Sequence, residues 1–256
     1  MTATGTSSRL DWQQRAVPWP RERVPELGPT LVVAPHPDDE ALGCGGTIAL
    51  LRRAGLPVRV VIASDGAASH PGSTRYPPTV LAALRQSESL AGLRLLGVDA
   101  DDVAFLGLAD SAVPTAGTPA AQHGIGQARD FLGSWLDLKT VLLPWRRDPH
   151  ADHRAAWSIF TAALDAMRSP VRRLEYPIWT LVHPAPGDPP RPDEAIVHRL
   201  DVGPVAAQKR AAILAHRSQT TALIDDAETG HCLTAPVLAQ FAHPWELLFE
   251  VGADRP

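Results

Sequence analysis

A chain of 256 residues with 45% hydrophobic and 20% charged side chains has the make-up of an ordinary globular protein of one large domain or two small ones. Its formal net charge of −4 argues against a dedicated nucleic-acid binder, and two cysteines, Cys44 and Cys232, cannot build a disulfide framework. No stretch approaches the roughly 20 apolar residues of a membrane-spanning helix, and the N-terminus lacks the apolar core of a secretory signal, so the expected address is cytoplasmic.

Residues 1–28 are polar and broken by prolines, and read as an irregular N-terminal arm ahead of a single domain over 29–256. LVVA (31–34) is a short apolar run suited to a strand buried on both faces. The pattern predicts a helix over 39–54 ending at Gly55, a strand at VRVVIAS (58–64) and a long helix over 79–97. A strand at DVAFLGL (102–108) and a helix near 124–138 follow, then a strand at TVLLPW (140–145) and a helix over 151–168. Four rounds of strand and helix predict a Rossmann-like α/β fold, mostly parallel, with helices on both faces of the sheet. LEYPIWTLV (174–182), AIVHRLDV (195–202) and WELLFEV (245–251) read as added strands, with a helix over 204–218. HPAPGDPPRPD (183–193) reads as a loop.

Ligands of open α/β sheets bind beyond the carboxyl ends of the strands. His36 follows the first strand, Asp65 the second, Asp110 the third, and His150 and His153 the fourth. In VVAPHPDDEALGCGG (32–46), Asp38 or Asp39 could serve only as a helix cap, with Glu40 complementing the helix dipole. That reading leaves His36 unexplained and has no use for three consecutive acids. His150 and His153, at i and i+3 in WRRDPHADHRAA (145–156), share one face of a helix start. Two imidazoles and one carboxylate make a three-ligand metal site with open positions: His36 and Asp39 from one segment, His153 from the other. Asp38 is then free to take a proton from water, and His150 to face a developing oxyanion.

APHPDDE and HADH resemble the paired signatures of the PIG-L/LmbE-like family of zinc-dependent N-acetylglucosaminyl deacetylases. The likeness continues through RQSESLAGLRLLGV, with its R-x-x-E, and KRAAILAHRSQ (209–219), and spans about residues 30–250. It implies metal ligands at His36, Asp39 and His153, a general base at Asp38, and an oxyanion or proton-donor role for His150, oriented by Asp152. It also implies hydrolysis of an N-acyl, above all N-acetyl, group on an amino sugar or its conjugate, with Zn2+ or Fe2+ as cofactor. Ala151 stands where the family's second motif has Pro, Pro35 where Ala is commoner, and Asp148 in the neighbourhood where some members carry a Tyr.

Gly43, Gly45 and Gly46 fall inside the first helix, where each costs roughly 0.5–1 kcal/mol against Ala. Close approach of another element is the expected reason, since GCGG matches no phosphate-binding pattern. Asp110 is the candidate for binding sugar hydroxyls, and Arg75, on a Gly/Pro-rich loop, for meeting an anionic substrate. His216 is read as a support for the site, and His70, His123, His183, His198, His231 and His243 as surface or loop residues. The expected partner is a small amino-sugar conjugate, with no nucleic acid and with a homo-oligomer allowed but not required. Two rivals use the same residues: a non-haem Fe(II) oxygenase, and a non-catalytic, metal-bearing sugar-binding module.

Overall fold

In the computed structural model, residues 11–185 and 187–252 are described. A short helix α1 (Asp11–Gln14), an edge strand β1 (Val17–Trp19) and a 3-10 helix (Arg21–Leu27) lead into β2 (Thr30–Ala34) and α2 (Asp39–Arg53). Next come β3 (Val58–Ser64), α3 (Pro78–Leu95), β4 (Val103–Leu108), α4 (Ala121–Gly133), β5 (Thr140–Pro144) and α5 (Ala151–Ala166). The chain continues through β6 (Arg172–Tyr176), α6 (Trp179–Val182), β7 (Ala195–Asp201), α7 (Ala206–Ala215), α8 (Arg217–Thr220), α9 (Ala235–Phe241) and β8 (Trp245–Val251).

The eight strands form one sheet in the order β1-β7-β8-β6-β5-β2-β3-β4. All neighbours are parallel except β8, which runs antiparallel to β6 and β7. Alternation along the central strands divides the core. Val32, Ala34, Val60, Ile62 and Leu142 face α2, α3 and α7; Leu31, Val33, Val61, Val141 and Leu143 face α4 and α5. Every residue of β2 and β5 is buried, as a central parallel strand requires. Among the described residues no helix is long and apolar enough to cross a membrane.

Three local expectations differ. Residues 11–28 are not irregular: β1 pairs in parallel with β7, and Trp12, Trp19, Val24 and Leu27 are buried. Residues 1–10 of the arm lie outside the described residues. Residues 174–182 are not one strand, because Pro177 has no N–H to offer and β6 stops at Tyr176. The expected 204–218 helix breaks at His216, whose φ of −78° and ψ of 67° are not helical.

The glycines of α2 have the expected cause. A Cβ on Gly43 would collide with the Tyr176 ring, and one on Gly46 would lie 2.6 Å from the Val202 Cβ. Glu246 of β8 reinforces this contact. It accepts the N–H groups of Gly46 at 2.7 Å and Thr47 at 2.8 Å, and the Lys209 ammonium lies 2.7 Å away. Gly46→Ala should therefore destabilise by roughly 1–3 kcal/mol through overpacking. Gly126→Ala in α4, with nothing within 4 Å of the new Cβ, should stabilise by roughly 0.5–1 kcal/mol. Thermal melts of the two variants should shift in opposite directions.

Candidate active site

From β2 the chain moves outward through β3 to β4, then returns to the other side of β2 as β5. That reversal opens a crevice at the carboxyl ends of β2 and β5, where open α/β sheets bind ligands. A cavity of about 210 Å3 lies there, lined by His36, Asp38, Asp39, Asp110, His150 and Trp179 among others. Both signature segments reach it because each follows directly on one of these two strands.

His36 Nδ1 and His153 Nε2 each lie 3.2 Å from the same oxygen of Asp39. Ligand bonds of about 2.0–2.1 Å in a tetrahedral arrangement put donor atoms about 3.3 Å apart, so this spacing suits a shared cation. Both ring nitrogens of His153 are buried without a hydrogen-bond partner, though Asp148 Oδ1 stands 3.4 Å from Nδ1. An orphaned buried acceptor costs about 1–3 kcal/mol, which a cation taking its lone pair would offset. Behind His36, Nε2 faces Asp152 Oδ2 at 3.1 Å and Asp110 Oδ1 at 3.3 Å. Carboxylates placed so fix the ring and raise its basicity as a ligand. The donor atoms of His36, His150 and His153 also fall within 4.8 Å of one another. The cluster thus fits a divalent cation.

Asp38 sits beside this cluster at φ 124° and ψ −27°, a region L-residues rarely adopt. Such strain costs about 1–3 kcal/mol and needs support from outside. Glu40 Oε2 accepts the Asp38 N–H at 2.9 Å. The buried Arg85 donates to the Pro37 carbonyl at 2.5 Å, to the Gly66 carbonyl at 3.0 Å and to Asp38 Oδ2 at 3.2 Å. Burial pushes the Asp38 carboxyl up to about 7 despite the opposing pull of Arg85. Burial also works to raise Asp39, yet His153 and His36 hold it well below the usual carboxylate range.

His150 caps α5: its Nδ1 accepts the Asp152 N–H at 3.2 Å. The neutral ring then carries its proton on Nε2. Burial first, then the neighbouring His153 and His36, pull its pKa down to about 4, so the neutral form prevails at pH 7. For Asp110, burial is outweighed by the hydrogen bond from His36, and its pKa falls to about 2.

Not every expected site residue joins the cluster as anticipated. The Asp152 carboxylate braces His36 and accepts the N–H groups of Ser111 and Val113, and only its backbone meets His150. Asp110 lines the cavity while facing His36 and accepting the Ala68 N–H at 2.9 Å. Arg75 does not line the cavity; its guanidinium is paired with Asp225. His216 is buried with Nε2 3.4 Å from Glu40 Oε1, one step behind Asp38. His231, an exposed loop residue as expected, also lines the cavity with Trp179.

Sequence reasoning misses Arg85 and Asp148 as working parts. Arg85 stands within the R-x-x-E segment, but spacing alone does not say what an interior arginine on a helix holds. Glu88, one turn on, accepts the Ser218 N–H at 2.8 Å and its hydroxyl at 2.6 Å, tying the two late family segments together. Asp148 accepts the Trp179 N–H at 2.9 Å and those of Ile178 and Thr180 at 3.3 Å.

A doubly wound α/β domain with a buried imidazole–carboxylate cluster at its switch point is the class that fold and site define. Residues 31–164 match the family described as PIG-L, GlcNAc-PI de-N-acetylase. A 1D-myo-inositol 2-acetamido-2-deoxy-alpha-D-glucopyranoside deacetylase of Nocardia farcinica is 31% identical over 252 residues, covering 76% of this chain and 81% of that protein. A conserved protein of Thermus thermophilus has a similar structure, with a TM-score of 0.55 and 28% identity, covering 75% of this chain and 80% of that one. The N,N'-diacetylchitobiose deacetylase of Pyrococcus horikoshii shares the fold at a TM-score of 0.54 and 24% identity, covering 73% and 69% of the two chains. The chain belongs to the PIG-L family.

If Asp152 holds His36 in its ligating orientation, Asp152→Asn should weaken zinc affinity about 10–100-fold. Competition against a fluorescent chelator measures this, with circular dichroism checking that the fold is kept.

Proposed function

We propose that this protein is a zinc-dependent deacetylase that removes an N-acetyl group from an amino sugar or N-acetylglucosamine conjugate, with residues 29–256 forming one catalytic domain. The observation that carries the reading is the meeting of His36 Nδ1 and His153 Nε2 at one oxygen of Asp39, beside the strained and buried Asp38. The named activity of the Nocardia farcinica relative supports the substrate class.

His36, Asp39 and His153 would hold the cation. Zinc so bound supplies Lewis acidity, which in such sites brings the pKa of water from roughly 16 to about 7 and polarises a carbonyl. Asp38, held by Arg85 on the cavity wall, accepts the proton of the attacking water. His150 donates from Nε2 to the amide oxygen as negative charge develops there. Its own Nδ1 is occupied by the Asp152 N–H, so the tautomer is fixed without a change of protonation. The proton held by Asp38 then passes to the departing nitrogen as the C–N bond breaks, leaving acetate and the free amine.

Asp38→Asn should retain one zinc per chain by elemental analysis while kcat for acetate release falls about 10²–10⁴-fold. Wild-type turnover in that variant would overturn the role given to Asp38. Dipicolinate treatment should abolish acetate release, and added zinc should restore it. Consumption of dioxygen by the iron(II)-loaded protein, without acetate release, would instead establish the oxygenase chemistry that shares this ligand set.

A further inference from the structure

The catalytic cavity is continued by a second cleft of about 460 Å3, and the two share Trp179, His231 and Leu233. Val182, His183 and Val237 extend its wall, and no Lys, Arg, Asp or Glu among the described residues lines it. Trp179 lines both clefts. It stacks on His183 with an interplanar angle of 7° at a centroid separation of 6.4 Å, and meets His231 edge-on at 5.3 Å. Partial burial and the field of Arg85 hold His231 below its ordinary pKa.

The surrounding cations are already engaged. The Arg85 guanidinium is divided among Pro37, Gly66 and Asp38. Arg75 is paired with Asp225 and lines neither cleft. On the catalytic side Asp38, Asp39 and Asp110 share the lining with Arg85 and His36, and the cation proposed above would offset their charge. A phosphate or carboxylate seated in the second cleft would meet an aromatic and apolar wall with no Lys or Arg among the described residues to pair it. Desolvating such an anion without a partner is costly. An aromatic or apolar group placed there covers the indole face and loses nothing.

We propose that this second cleft is the aglycone subsite, and that it selects N-acetylglucosaminides whose aglycone is uncharged and aromatic or apolar, against those joined through a phosphate. The inference rests on the deacetylase reading above, since the sugar must sit over the cation for its aglycone to reach Trp179. The position of Trp179 is fixed by the same group that lies behind His153. Asp148 accepts the Trp179 N–H at 2.9 Å, and its other oxygen stands 3.4 Å from His153 Nδ1. The aromatic wall is thereby held in register with the reacting centre.

The test compares initial rates of acetate release by the zinc-loaded protein from methyl, benzyl and 2-naphthylmethyl N-acetylglucosaminides and from N-acetylglucosamine 1-phosphate. The aryl glycosides should exceed the methyl glycoside in kcat/KM by about tenfold or more, and the 1-phosphate should fall below it. In Trp179→Ala the ratio of benzyl to methyl kcat/KM should drop about tenfold; a merely structural defect would lower both and leave the ratio. Gln240→Arg, which puts a cation into the same cleft, should raise the 1-phosphate relative to the benzyl glycoside. Turnover of the methyl glycoside with no aryl preference, or a ratio unmoved by Trp179→Ala, would overturn the subsite alone. Failure of every sugar to release acetate would overturn the deacetylase reading and the subsite with it.

Discussion

The structure is organised around charge that could not be buried singly. Asp38, Asp39, Asp148, Asp152, His36 and His153 are all buried at the ends of β2 and β5. Taking one carboxylate out of water costs several kcal/mol unless opposite charge and hydrogen-bond donors replace the solvent. Here the replacement is mutual. Asp39 meets two imidazoles, Asp152 meets one imidazole and two backbone N–H groups, and Asp148 gathers three N–H groups from the start of α6. Of these six residues, only His153 is left with buried ring nitrogens and no hydrogen-bond partner, and this residual demand points to a cation.

Elements distant in sequence serve that centre. Arg85 and Glu88, one turn apart on α3, reach in different directions: Arg85 to the strained turn at Asp38, and Glu88 to Ser218 on α8. The break in the helix at His216 follows from the same arrangement, because it lets α8 begin where Glu88 can accept the Ser218 N–H. On the other side of α2, Lys209 and Glu246 form a buried pair that also takes two backbone N–H groups of the helix. Gly45 lies against the Lys209 stem and Gly46 against Val202, so the glycines of the first signature serve the seating of α2 rather than a phosphate. The turn carrying Asp38 and Asp39 is the N-terminal end of this same helix, and its position is thus set by contacts more than a turn away.

The alternation of strand and helix, the parallel sheet and the carboxyl-end location of the site were all legible, because apolar runs such as Leu31–Ala34 and Val58–Ser64 leave little choice of burial. The two segments that carry the buried imidazole–carboxylate cluster were legible as well, since each follows its strand within a few residues. What escaped has a common physical origin. Trp19 pairs through only three residues of edge strand, too short for alternation to register. Asp148 looks like any loop aspartate until the start of α6 is folded over it. The carboxylate of Asp152 turns to His36 rather than to its sequence neighbour His150, and direction of that kind depends on the rotamer imposed by Ser111 and Val113 from another strand's loop. Local spacing encodes which residues share a face; it does not encode what comes to meet them.

Asp148 ties the buried imidazole–carboxylate cluster to the start of α6 and so to the wall of the second cleft. Its carboxylate has one oxygen toward His153 and the other under the backbone of Ile178, Trp179 and Thr180. A shift of the short helix that carries Trp179 would therefore move the carboxylate that stands beside His153. Conversely, binding of a cation that draws on His153 would steady the orientation of Asp148, and through it the indole that the two clefts share. The segment bearing His231 and Leu233 is anchored elsewhere, by the His231 N–H on the Ser69 carbonyl at 2.8 Å and the Leu233 N–H on the Gln219 carbonyl at 2.7 Å. If the second cleft receives the aglycone, a changed side chain on that segment would alter its preference without disturbing the buried charges of the first.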